Sequence, residues 1–106
     1  MAVVTVSTFA VKPDRFEDQL EEGRKFKAVF ERSGGKNIRF LAAMVAGEAT
    51  GSLTFIVESD DFAGNGAVMD KLLTDPEGQA LMAAAATSAS PTVPGYQTTV
   101  WVDVPL

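Results

Sequence analysis

The sequence predicts a single α+β domain in the order strand, helix, strand, strand, helix, strand. Three observations carry this. The chain has 106 residues, a length that suits one domain spanning 1–106. Its apolar positions switch between a period of two and a period near 3.6. It also repeats itself: Phe9-Ala10-Val11-Lys12-Pro13-Asp14-Arg15-Phe16 matches Phe55-Ile56-Val57-Glu58-Ser59-Asp60-Asp61-Phe62 without gaps, as F-x-V-x-x-D-x-F. Both copies fall where a strand runs into a helix. Two such halves with right-handed crossovers make the ferredoxin-like βαββαβ arrangement with an antiparallel sheet.

Residues 3–11 are β-branched and alternate, which makes them a strand. Pro13 stands where a first helical residue is tolerated. Phe16, Leu20, Gly23, Phe26 and Phe30 then form one apolar stripe at helical spacing. Acids come first in this helix and bases last, which complements the macrodipole, and Glu21 with Lys25 is a well-oriented i,i+4 pair. Ser33-Gly34-Gly35 ends it with a glycine for the left-handed cap. Residues 37–46 and 52–59 are two further strands around a turn at Gly47-Glu48-Ala49-Thr50-Gly51. Asp60 or Asp61 caps a second helix carrying Phe62, Met69, Leu72 and Leu73. Thr74-Asp75-Pro76-Glu77 restarts the chain, with Thr74 as the capping residue, into an Ala-rich helix over about 76–87. Residues 88–95 connect to a last strand, 96–104.

Composition narrows the function. Nine basic residues face 14 acidic ones, a formal charge of −5, and there is no cysteine or histidine. Disulfides, thiolate metal sites, a Cys nucleophile and histidine-ligated haem are excluded. Eight of the nine bases lie in residues 1–53, where the helix pattern accounts for most of them. With a negative net charge and no base-stacking motif, nucleic acid is not expected as a partner. No signal peptide is visible, and no apolar run approaches the ~18–20 residues of a membrane span. A cytoplasmic protein is the simplest expectation.

Strand alternation predicts a second hydrophobic face. Phe9, Val11, Phe55 and Val57 are placed toward the helices, which leaves Val4, Val6, Thr8 and Ala10 on the other side with Ser52, Thr54, Ile56 and Glu58. Val4, Val6, Leu41, Val45, Ile56 and Trp101 make that face too apolar for water, and the chain has no third layer. A two-fold homodimer with the sheets face to face is the expected solution.

With this order and length, the segments Val11-Lys12-Pro13-Asp14-Arg15-Phe16 and Leu72–Met82 (LLTDPEGQALM) make the chain similar to the dimeric α/β-barrel superfamily. Its members include NIPSNAP-like, antibiotic-biosynthesis-monooxygenase-like and stress-responsive barrel proteins. The resemblance implies a small-molecule cleft between sheet and helices, for an aromatic or polyketide-like compound. A cofactor-free monooxygenase or isomerase is one reading. A non-catalytic dimeric module, with the barrel filled by its own side chains, is the other, and catalysis is left open.

Six polar or aromatic residues on the inferred inner face are the candidates for ligand contact: Arg39, Thr54, Glu58, Gln97, Thr99 and Trp101. If the hairpin pairs residues whose numbers sum to 97, Arg39 lies opposite Glu58, as an anion clamp beside a carboxylate base or as a cross-strand ion pair. Trp101 reads either as an aromatic wall or as an interface residue. Asp60 and Asp61 beside Glu58 raise a hard-metal reading, but helix capping accounts for both and no metal or other cofactor is expected. Gly47–Ser52 lacks the lysine of a phosphate loop and leads into a strand, and Ser33–Lys36 ends a helix instead of opening one.

Overall fold

The computed structural model describes residues 1–44, 47, 51–87, 91–93 and 97–106. Its elements run β1 (Val3–Phe9), α1 (Phe16–Arg32), β2 (Lys36–Ala42), β3 (Leu53–Ser59), α2 (Phe62–Thr74), α3 (Pro76–Ala85) and β4 (Gln97–Val102). The strands form one antiparallel sheet in the order β2-β3-β1-β4, and the helices pack over β2, β3 and β1 on one face. This is the α+β, ferredoxin-like arrangement expected from the repeat.

Element ends differ from the sequence reading for local reasons. Beyond Phe9 the chain leaves β3: the Ala10 carbonyl accepts from Val93 N, and Lys12 N donates to Pro91 O, so Val11 forms only an isolated bridge with Thr92. Pro13 sits in the turn that follows, closed by Arg15 N on Lys12 O, and α1 starts at Phe16. The end of α1 is as expected. Gly34 has φ +102°, Gly35 N donates to Phe30 O and Gly34 N to Glu31 O, the 6→1 and 5→2 pair of a Schellman motif. Asp61 caps α2 by accepting from Gly64 N. Asp75, not Thr74, caps α3, because its carboxylate accepts from Glu77 N and Gly78 N while the Thr74 hydroxyl turns back to Asp70 O. The last turn of the Ala-rich helix closes at Ala85, and β4 ends at Val102. Val45, Ala46, Glu48–Thr50, most of the 88–95 connector and Tyr96 lie outside the described residues.

Aromatic rings fill the space between sheet and helices. Phe55 lies 5.1 Å from Phe40 and 5.4 Å from Phe30 between ring centroids, and Phe9 meets Phe40 edge-on at 6.2 Å. Val29, Ile38, Val57, Val68, Leu72 and Leu81 complete this core. Gly23 is what lets α1 approach, since a Cβ there would stand 1.7 Å from Phe40 Cε2. The α1 stripe differs at its start: Phe16 is 42% exposed, and Gln19 is buried instead. On the solvent side, Glu21 pairs with Arg24, not with Lys25.

Candidate functional site

The register decides what shares a face. In β1–β4, Val4 opposes Trp101, Val6 opposes Thr99 and Thr8 opposes Gln97; in β1–β3, the same three oppose Glu58, Ile56 and Thr54. In β2–β3, Arg39 opposes Ile56 and Leu41 opposes Thr54. All six candidate residues therefore lie on one face, the one turned away from the helices. The expected cleft between sheet and helices is a different place, and over β2 and β3 it is closed by the phenylalanine core.

The bare face is apolar at its centre and polar along its ends. Trp101 is 61% exposed and Leu41 48%, while Ile56 on the central strand is buried. The Trp101 indole N–H donates to Thr99 Oγ1 at 2.8 Å, and the Thr8 and Thr54 hydroxyls share a hydrogen bond at 3.1 Å.

The pairing of Arg39 corrects the sequence reading. It is opposite Ile56, and Glu58 is its diagonal neighbour, with Nη1 3.9 Å from Oε1. From Arg39 to Ala42 the paired residue numbers sum to 95, two less than expected, so the shift is set on the hairpin side; a bulge between Lys36 and Arg39, where Asn37 adopts φ +47°, brings Lys36 opposite Glu58. Asn37 then donates from Nδ2 to Glu58 Oε2 at 2.8 Å, so the carboxylate is engaged by an amide and faced by a guanidinium. Neither aspartate beside Glu58 is arranged for a metal: Asp60 accepts from Lys36 Nζ at 2.8 and 2.9 Å, which holds its carboxyl below the usual range, and Asp61 is the cap of α2.

The helix side holds a second polar group that the sequence reading missed. Thr5, Ser7 and Thr98 face the helices, from β1 and β4. Asn65 of α2 donates from Nδ2 to Thr5 Oγ1 at 2.7 Å, and the Ser7 and Thr98 hydroxyls are 3.0 Å apart. Thr5, Ser7 and Asn65 are half-buried, yet Val100 of β4, on the same side, stays 50% exposed. Among the described residues α1 packs on β2, and α2 on β3 and β1, so an opening remains between α2 and the β1–β4 edge, with hydroxyls on its floor and an amide at its rim. Alternating Ser and Thr opposite Thr98, together with a lone Asn inside a helix, was the available signal.

An open groove of about 380 Å³ lies beside Lys12 and Gly51, and another of about 350 Å³ between α1 and α3. The second is edged by Arg15, Lys25, Glu21 and Glu22, and burial raises the Glu22 carboxyl above the usual range against the pull of Lys25. Neither groove contains any of the six candidates. Among the described residues, no helix is long and apolar enough to cross a membrane.

The backbone path matches solved structures over nearly its whole length. An uncharacterised NIPSNAP domain protein from Burkholderia xenovorans superposes with a TM-score of 0.75 at 15% identity, covering 96% of this chain and 94% of the other. A protein described as an antibiotic biosynthesis monooxygenase gives 0.68 at 14%, covering 97% and 99%. This chain has their ferredoxin-like fold. A dimeric ferredoxin-like protein of unknown function from Thermobifida fusca gives 0.64 at 17%, covering 95% and 90%. No family model and no curated protein matches the sequence. Within the ferredoxin-like fold the strand order fixes which residues can meet, but chemistry depends on side chains, and at these identities the likeness concerns the fold.

Proposed function

We propose that the chain is a homodimer joined through its bare sheet faces and that each subunit binds a small, neutral, ring-containing molecule in the opening between α2 and the β1–β4 edge. The observation that carries this reading is the pairing of Asn65 with Thr5 and of Ser7 with Thr98 beside half-exposed Val100. The Ser7–Thr98 hydroxyl pair shares one proton and leaves another to give, and Thr5, which accepts from Asn65, keeps its own O–H to donate, so the floor suits a ligand carbonyl or phenol, and the apolar flank suits a ring. Thr5, Ser7, Asn65 and Thr98 carry no charge, which favours a neutral ligand. They include no acid or base, which favours binding over proton transfer.

On this reading Trp101, Thr99, Gln97, Thr54, Arg39 and Glu58 belong to the interface. The apolar centre of the face supplies association, and the polar ends set its register. The dimeric ferredoxin-like neighbour supports this use of the fold.

A second reading keeps the ligand against Trp101. The exposed indole and the Arg39 guanidinium, 3.9 Å from Glu58, would favour an aromatic acid. Titrating the labelled protein with 1,4-naphthoquinone and with 1-naphthoate separates the two. The first reading expects the quinone to shift the amide signals of residues 5, 7, 65 and 98, and Asn65→Ala to weaken it by roughly tenfold, the effect of one good hydrogen bond. Tighter binding of the carboxylate, with loss on Arg39→Ala and a change in Trp101 fluorescence, would overturn it in favour of the second.

A further inference from the structure

Gly64-Asn65-Gly66 places three poor helix formers in the first turns of α2. Neither glycine is there for conformation, since neither has a positive φ. Packing does not require Gly66 either, since a Cβ there would meet nothing within 4 Å; one on Gly64 would crowd the capping carboxylate of Asp61, at 3.2 Å, and touch Ser59 Cβ at 3.8 Å. At a position such as Gly66, glycine makes the folded turn less stable than alanine would, with no compensating contact. Besides the backbone bond from Asn65 N to Asp61 O at 2.9 Å, two side-chain bonds hold the turn down, the Asp61 cap on Gly64 N at 2.7 Å and the Asn65 amide on Thr5 at 2.7 Å. Phe62, at its start, is 64% exposed and adds little. The rest of α2 is fastened by Val68 and Leu72, at 4% and 1% exposure.

We propose that the first turn of α2 is a gate, which unwinds locally while the Val68–Thr74 part stays packed. It releases Asn65 from Thr5 and widens the opening over the β1 hydroxyls. Its role in admitting a ligand rests on the binding site proposed above, but the opening itself belongs to the free protein and can be measured there.

Native-state hydrogen exchange across low urea concentrations reads the gate directly. The amides of 65–67 should exchange at least about a hundredfold faster than those of 71–73, with almost no urea dependence, because a single turn exposes little surface. Gly66→Ala should slow exchange at 65–67 by roughly fivefold, the factor for ~1 kcal/mol of helix propensity. Since the chain has no cysteine, Ser7→Cys, on the same side of β1 and outside the Asn65–Thr5 bond, supplies a single reporter thiol. Its alkylation by iodoacetamide should slow by the same factor when Gly66→Ala is added.

Equal protection and equal urea slopes along α2 would overturn the proposal, as would an unchanged rate in Gly66→Ala. Slowed amide exchange with an unchanged thiol rate would show that the turn frays without gating access to β1, and would also overturn it. None of these results depends on a ligand being found.

Discussion

Trp101 and Thr99 lie two residues apart on β4, and the indole N–H of the first donates to the hydroxyl of the second at 2.8 Å. That bond aligns the ring with the strand, on the face the helices leave bare, where the side chain remains 61% exposed. Beside it are Val4 and Val6, with buried Ile56 beyond them, and Leu41 lies on the far strand. A large exposed aromatic held by a hydrogen bond among aliphatic side chains is suited to a partner surface.

Substitutions on this face should separate association from folding. Ile56 is 7% exposed, so Ile56→Asp takes a carboxylate out of water with no counter-charge across from it but Arg39, which already faces Glu58, and should unfold the chain, at a cost of several kcal/mol. Leu41 is 48% exposed, so Leu41→Glu should give a folded monomer. Circular dichroism with light scattering distinguishes the two results.

Gly23→Ala should be among the most damaging small changes. The new methyl would stand 1.7 Å from Cε2 and 2.3 Å from Cζ of Phe40, a ring wedged against Phe9 and Phe55. Overpacking of this kind costs about 1–3 kcal/mol or more. Urea denaturation should show a lower midpoint, and adding Phe40→Leu should recover part of the loss.

Acid should loosen the α1–α3 junction. Hydrogen bonds from Arg32, with Gly78 N, hold Asp75 at about 2, and Lys36 lowers Asp60. A depressed carboxylate contributes stability that is complete above its unfolded value of ~3.9 and is lost as pH falls through the folded value. Stability should therefore decline between about pH 4 and pH 2. Arg32→Met should flatten that decline, because Asp75 loses both Arg32 bonds, of 2.8 and 2.9 Å. Glu22, raised by burial, acts with the opposite sign: its contribution falls as pH rises through its elevated value.

Gln19→Met should stabilise the protein. Gln19 is 4% exposed, and its Oε1 has no hydrogen-bond partner among the described residues. A buried acceptor left unsatisfied costs about 1–3 kcal/mol, and Met fills a similar volume without one. Thermal denaturation of the pair should give the higher midpoint to the variant.

The order of elements was legible because strand and helix periods differ and because F-x-V-x-x-D-x-F marks both strand-to-helix junctions. The face occupied by Trp101, Ile56 and Leu41 followed from alternation alone. The Arg39 register did not, because a shift of two residues keeps every side chain on its own face and so leaves no mark in hydrophobic alternation. The cap of α3 was misread by one residue, since Thr74 and Asp75 are both good capping types and only the backbone at Asp75 is extended. The Asn65–Thr5 and Ser7–Thr98 pairs left only a faint signal for another reason: Ser and Thr are ordinary strand residues, and how far the helices sit toward β2 is a property of packing around Gly23 and Phe40.

Sedimentation equilibrium at micromolar concentration tests the central claim most directly. The chain mass is 11.2 kDa. We expect a species of about twice that mass, reduced to one chain by Leu41→Glu with the fold intact. A single-chain mass at every concentration, or a dimer indifferent to both Leu41→Glu and Trp101→Glu, would contradict the assignment of the bare sheet face as the interface.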